Sequence, residues 1–451
     1  MDNFFNEEKN DFKNIFQRIR KKDFSGNTGL AIKNSIYNFS TTVISKFGSL
    51  IFTMIIARLL MPELFGFYNL ALSTILIFTA FSELGINQSI VRFVSHFLGK
   101  NKKAKAKDYL IYFAKIKFIL IFISIILLLI SSKFIAETYY QKPIFLALLA
   151  GIFYIFLTQI TNYFISVLNS FNNFKNILFK ETIFQFSRII LVPLVVIFAI
   201  KLSLSNETIL FYVILALSVS YLLTGSYLFF ITKKNSYLKP KGSNVLSKEE
   251  KKNANRFVIL TAVIVLSGVF FGNIDKVMLG RFVAGEFIGY YQAAFSLIGA
   301  LTSLCAFGAV LLPIFSRMEK RDMKKAMKKI IRIVFLTSLV FFILTLIFSN
   351  LAVKIIYGED YFLATNILKL FSILILILPM VNIYLPYFMS QNKLGIIAKS
   401  LGVSTFINII LNYILISSLL PYGQIYSVYG AAISTIISQG IYLGILVLSK
   451  K

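Results

Sequence analysis

Long apolar runs separated by short polar or basic connections make up almost the whole chain. Runs long enough to cross about 30 Å of hydrocarbon fall near 32–56, 65–92, 109–131, 144–168, 177–200, 208–232, 257–280, 287–313, 331–350, 362–388, 394–417 and 427–448. This pattern predicts an all-α integral membrane protein with twelve transmembrane helices. With 57% of residues hydrophobic, a soluble fold is excluded.

Two stretches repeat each other about half a chain apart. "ARLLMPELFGFYNLALS" (57–73) and "GRFVAGEFIGYYQAAFS" (280–296) align without a gap, sharing Arg58/Arg281, Glu63/Glu286, Gly66/Gly289, Tyr68/Tyr291, Ala71/Ala294 and Ser73/Ser296. Each copy ends the first helix of a six-helix set and enters the second. Six is even, so both sets enter the membrane in the same sense, which predicts two parallel repeats related by an axis along the membrane normal. Gly66 and Gly289 are expected to allow the sharp return between helices. The predicted organisation is a cytoplasmic segment 1–31 (an amphipathic surface helix or disorder), a six-helix bundle 32–232, a basic linker 233–256 and a second bundle 257–449.

Charge sets the orientation. The loops on one side, among them "GKNKKAKAK" (99–107), 233–256 and "RMEKRDMKKAMKK" (317–329), hold most of the Lys and Arg. The opposite loops hold Arg58, Lys133, Lys142, Lys201, Arg281 and Lys354. This bias predicts that both termini are cytoplasmic. It accounts for most of the +28 net charge through contact with anionic membrane lipids rather than nucleic acid. The N-terminus lacks the apolar core and cleavage site of a removable signal. The single Cys305 cannot form an intrachain disulfide and is expected to be a buried hydrophobe.

"ARLLMPELFGFYNLA", "NIDKVMLGRFVAGEFIGYYQAA" (273–294), "NIILNYILI" (408–416) and "YGAAISTIIS" (429–438) resemble the polysaccharide-repeat-unit flippases (Wzx-type). Their superfamily also holds multidrug-and-toxin extrusion (MATE) carriers and lipid-linked peptidoglycan-precursor flippases. The resemblance runs from about residue 30 to 449. It implies a MATE-like, V-shaped pair of bundles around a central cavity. It also implies a cargo, a polyprenyl-(di)phosphate-linked oligosaccharide, carried from the inner to the outer leaflet of the cytoplasmic membrane.

Ionisable residues inside predicted spans mark a candidate site, because each costs at least about 2.5–3.5 kcal/mol at the bilayer centre. Lys46, Arg58, Arg188, Lys276 and Arg281 are the candidates for binding an anionic head group, and Glu83 and Asp275 for binding a coupling proton or sodium ion. The alternative is internal pairing, Lys46 with Glu83 and Asp275 with Lys276 or Arg281, while Arg58 and Arg281 snorkel to headgroups. Lys115, Lys117, Lys180 and Lys399 fall near the cytoplasmic face, where snorkelling suffices. Gln159, Thr161, Asn162, Asn408 and Asn412 are expected to join helices, and the lone His96 to be structural. "NET" (206–208) is a weak glycosylation sequon.

No cluster has metal-ligand spacing, no phosphate loop follows a strand, and no catalytic residue is assigned. No cofactor is expected beyond the coupling ion. The leading function is a secondary transporter working by alternating access, with glycan-assembly proteins as further partners. A multidrug or small-solute exporter is the alternative. A membrane-embedded glycan polymerase or ligase is remote, because no outer loop exceeds about 15 residues.

Overall fold

The computed structural model describes residues 26–235, 246–304 and 320–450, with Leu311, Phe315 and Met318. Most of the 1–31 segment, the middle of the 233–256 linker and Cys305 lie outside them. Thirteen helices are described: α1 (Gly26–Glu83), α2 (Ile86–Gly99), α3 (Lys103–Lys133), α4 (Phe145–Ser170), α5 (Phe174–Lys201), α6 (Asn206–Lys234), α7 (Lys248–Phe282), α8 (Gly285–Leu304), α9 (Lys320–Tyr357), α10 (Ala364–Phe371), α11 (Ile373–Ser390), α12 (Leu394–Leu419) and α13 (Gln424–Leu448). Among the described residues, eleven helical stretches are long and apolar enough to span a membrane, one of them 67 residues long (Lys33–Gly99). That stretch is two spans joined at a kink, so each of the twelve predicted runs has a helix among the described residues, the eighth described as far as Leu304. Helices dominate because a segment in hydrocarbon must satisfy its own backbone N–H and C=O groups.

Local sequence sets the breaks. Met61 precedes Pro62, which disfavours α geometry before it, and Met61 sits at φ 58° where α1 kinks. Leu84 and Gly85 take φ 38° and 75° and separate α1 from α2. Asn101, Asn172 and Asn392 turn the chain in the left-handed region, which Asn tolerates better than most residues. The Ser205 hydroxyl caps α6 at the Thr208 amide, 3.4 Å, so the "NET" triplet forms that helix's first turn.

The halves repeat each other's packing. Within the first, α1 packs on α5, α5 on α6, α4 on α6 and α3 on α4; within the second, α7 packs on α12, α12 on α13, α11 on α13 and α9 on α11. The halves meet along α1 and α8 at the end away from the basic loops. Gly66 and Gly289 act at this seam, not at a turn: both lie inside helices, and a Cβ on either would strike backbone of the other half, at Gly285 and Pro62 respectively. The returns themselves fall at Met61 and at the extended Val283.

A second seam joins the halves at the basic end. Arg92 lies over the Phe257 ring at 4.2 Å, Lys105 pairs with Glu250 at 2.8 Å, and the Tyr112 hydroxyl donates to Asn255 Oδ1 at 2.8 Å. Thr261 donates to the Gly85 carbonyl at 3.3 Å, beside the helix break.

Candidate functional site

The structure does not gather the seven candidate residues into one cluster. It places them at the seam between halves, inside each half, and on the surface of α1.

Arg58 and Arg281 occupy the same position of the repeat, and each reaches into the opposite half. Arg58 Nε donates to the Ile356 carbonyl at 2.9 Å, and its Nη2 bonds the Ile355 carbonyl, at the end of α9. Arg281 Nη1 donates to the Tyr139 carbonyl at 2.9 Å, in the π-helical turn that extends α3. Terminal carbonyls carry the negative end of the helix dipole, so a cation is favoured there. Tyr361 follows the same logic, donating to the Ala57 carbonyl at 2.8 Å. The two arginines thus fasten the seam, and their guanidinium groups are committed to backbone.

Arg188 lies inside the first half. Its Nη2 donates to Ser49 Oγ at 2.7 Å and its Nε to Gln185 Oε1 at 2.9 Å. The guanidinium sits 4.7 Å from the Phe52 ring centre and 5.1 Å from that of Phe184. Lys180 joins this region: it is buried, pairs with Glu181 at 3.2 Å, and stands 4.8 Å from the Phe184 ring centre. Snorkelling, expected for Lys180, is therefore not what it does.

Asp275 lies inside the second half and accepts three hydrogen bonds. Its donors are the Tyr291 hydroxyl at 2.5 Å, Asn412 Nδ2 at 2.6 Å and the Thr435 hydroxyl at 2.5 Å, drawn from α8, α12 and α13. The carboxamide of Asn408 and Oδ1 of Asn412 are buried there without a protein partner. Lys276 is buried next along α7. The pairs Lys46–Glu83, Asp275–Lys276 and Asp275–Arg281 do not form; the ion pairs among the described residues are Lys105–Glu250, Lys180–Glu181 and Lys354–Glu359.

Extended backwards without a gap, the repeat alignment sets Phe52 opposite Asp275 and keeps Tyr68 opposite Tyr291. One inherited position therefore holds a ring under a guanidinium in the first half and a carboxylate in the second. The halves have diverged in charge at their interiors.

Glu83 is half-buried at the α1–α2 break and accepts from Gln88 Nε2 at 3.4 Å. Beside it lies Lys117, 1% exposed, with Nζ donating to Asn87 Oδ1 at 2.8 Å and Gln159 Oε1 at 2.7 Å. Gln159 is itself anchored by donating to the Thr79 carbonyl at 3.0 Å. Position along the span suggests a snorkelling lysine; the fold buries it instead, against the polar residues of "TQITN" (158–162) and of "INQS" (86–89). Lys46 lies on the exposed face of α1.

Comparison with known proteins now decides the family. The family described as polysaccharide biosynthesis protein matches residues 31–319. The chain belongs to that family. A curated relative, an uncharacterised membrane protein of Methanocaldococcus jannaschii, is 21% identical over 387 residues, covering 82% of this chain and 74% of that one. Among solved structures, this polysaccharide biosynthesis family member is similar to the lipid II flippase MurJ in an inward closed conformation, with TM-score 0.69, 16% identity, and coverage of 93% and 87% of the two chains. It is also similar to an inward-facing multidrug resistance MATE family transporter, with TM-score 0.61, 15% identity, and coverage of 92% and 99%. The likeness to both structures shows the fold that this chain shares with them.

Proposed function

We propose that this protein is a secondary transporter that flips a polyprenyl-(di)phosphate-linked oligosaccharide repeat unit from the inner to the outer leaflet of the cytoplasmic membrane. The observation that carries the reading is the closed seam built from the two copies of the repeat. Two six-helix halves that touch through repeat-related glycines at one end form the kind of machine that opens alternately to either side. The basic end faces the cytoplasm in this reading, so the closed α1–α8 seam is the outer gate.

Arg188, with Lys180 beside it, is the group proposed to attract the phosphate of the cargo, since a guanidinium offers more N–H donors than its two bonds here use. Asp275 is the proposed coupling site. A proton would reside on its carboxylate; a sodium ion would find oxygen ligands in Asp275, Asn408 and Asn412. The interior cations weigh against the small-solute exporter as the cargo class. Glycan-assembly proteins are the expected partners at either face.

The test is a deletion strain whose lipid-linked saccharides and surface glycan are compared with wild type. Build-up of one complete lipid-linked oligosaccharide with loss of that glycan supports the reading and identifies the cargo. Unchanged intermediates, in a strain with no second flippase, overturn it.

A further inference from the structure

A groove of about 540 Å³ opens on the outer flank of the first half, against α3 and α4. Lys107, Leu110, Ile111, Lys115 and Phe118 of α3 line it, with Tyr163 of α4. Its size falls in the range of ligand clefts. Its floor is apolar and the charged side chains that line it, Lys107 and Lys115, are both cations.

The cations sit at the basic end. Lys107 lies within the first two turns of α3, which begins at Lys103. Its Nζ is buried without a partner, a state that costs free energy unless an anion or water meets it. Lys115 is exposed two turns deeper, about 12 Å along the axis. Helical side chains point back toward the helix N-terminus, so the Lys115 ammonium leans toward Lys107. The nearby Lys105 is already committed to Glu250 at 2.8 Å. Asp108, on the adjacent face, is buried in the protein rather than in the groove lining.

Beyond the groove, α3 continues as an exposed apolar stripe through Phe122, Ile126 and Ile130. The helix's opposite face is the one that buries Lys117 against Gln159. The flank with the groove therefore faces lipid, away from the α1–α8 seam that must part for cargo. We propose that it is a binding site for an anionic glycerophospholipid of the inner leaflet. The headgroup phosphate lies between Lys107 and Lys115, and one acyl chain runs over Leu110, Ile111 and Phe118. Basic pockets between helices at the cytoplasmic side have the chemistry for such headgroups.

The test is native mass spectrometry of the full-length protein in detergent, titrated with phosphatidylglycerol and, separately, with phosphatidylcholine. Wild type is expected to retain one phosphatidylglycerol in preference to phosphatidylcholine. Lys107→Gln with Lys115→Gln is expected to weaken that binding about tenfold or more, the worth of a charge-assisted contact, while Lys399→Gln changes nothing. Ile111→Trp, which fills the groove and keeps both charges, is expected to lose the lipid too, and serves if the lysine variant folds poorly. Equal retention of the two lipids, equal binding by wild type and both groove variants, or stoichiometric displacement by a polyprenyl diphosphate would overturn the assignment.

Discussion

Gly66 lies so close to Gly285 that a Cβ carbon on it would overlap the Gly285 carbonyl oxygen, and the repeat-related Gly289 stands in the same relation to Pro62. Because Pro62 and Gly285 occupy equivalent positions of the repeat, the contact is self-complementary about a pseudo-two-fold axis. Only glycine permits two backbones to approach this closely in a membrane bundle. Gly66→Val or Gly289→Val should therefore disfavour the closed α1–α8 seam by about 1–3 kcal/mol, a shift of about 5–150-fold toward the open state. Double electron–electron resonance between spin labels on loops of the two halves at the seam end, at Lys142 and Glu359, should show the longer distance population growing. Unchanged distances would mean that the glycines do not set the gate.

Arg58 and Arg281 fasten the same seam through the carbonyls of α9 and of the turn after α3. Each is expected to contribute about 0.5–1 kcal/mol, the scale of a cation at a helix C-terminus. Arg58→Gln and Arg281→Gln should each move the same equilibrium by a few-fold, and the double variant by roughly the product, since the two contacts share no partner. If either arginine instead binds cargo directly, its loss should weaken cargo binding without altering the distances.

Lys117 predicts an asymmetry between two variants. Removing its acceptor with Gln159→Leu leaves a buried ammonium short of partners and should cost upwards of about 2 kcal/mol. Lys117→Met combined with Gln159→Leu removes the charge together with its buried acceptor and should cost less than Gln159→Leu alone. Thermal unfolding in detergent compares the two, and equal losses would mean that the ammonium is hydrated rather than held by Gln159.

Asp275→Asn keeps the size of the side chain but removes the charge that three donors converge on. Transport should fall at least about tenfold and lose its dependence on the coupling ion, because a carboxamide neither titrates nor attracts a cation as strongly. Protein level should be unaffected. Transport that keeps its ion dependence would move the coupling site elsewhere, with Glu83 next.

Much of this architecture was legible because hydrocarbon forces a simple code. Apolar length gave the spans, and the recurrence of Arg58, Glu63, Gly66 and Tyr68 gave the duplication. The role of Gly66 was not legible, because a glycine required by a turn and one required by a neighbouring backbone look alike in one dimension. Lys117 and Lys180 were misplaced for a related reason: depth along a helix says nothing of which way the side chain faces. Asn412 read as an adhesive between helices, and only the convergence of α7, α8, α12 and α13 shows that its amide serves Asp275. The arginines were found, but not their partners, since the Arg58–Ile356 bond joins residues nearly 300 positions apart, |i−j| = 298.

The central claim is that two halves, closed on each other at the repeat, carry a lipid-linked glycan across the membrane. Its most direct test reconstitutes the purified protein in liposomes with the lipid-linked oligosaccharide that accumulates in the deletion strain. The readout is the fraction of glycan reached by an impermeant glycosidase added outside. The account predicts that wild type exposes the inner-leaflet pool with time, while Arg188→Gln and Gly66→Val do so far more slowly and protein-free liposomes do not. Exposure at the protein-free rate by correctly folded wild type, under both proton and sodium gradients, would contradict it.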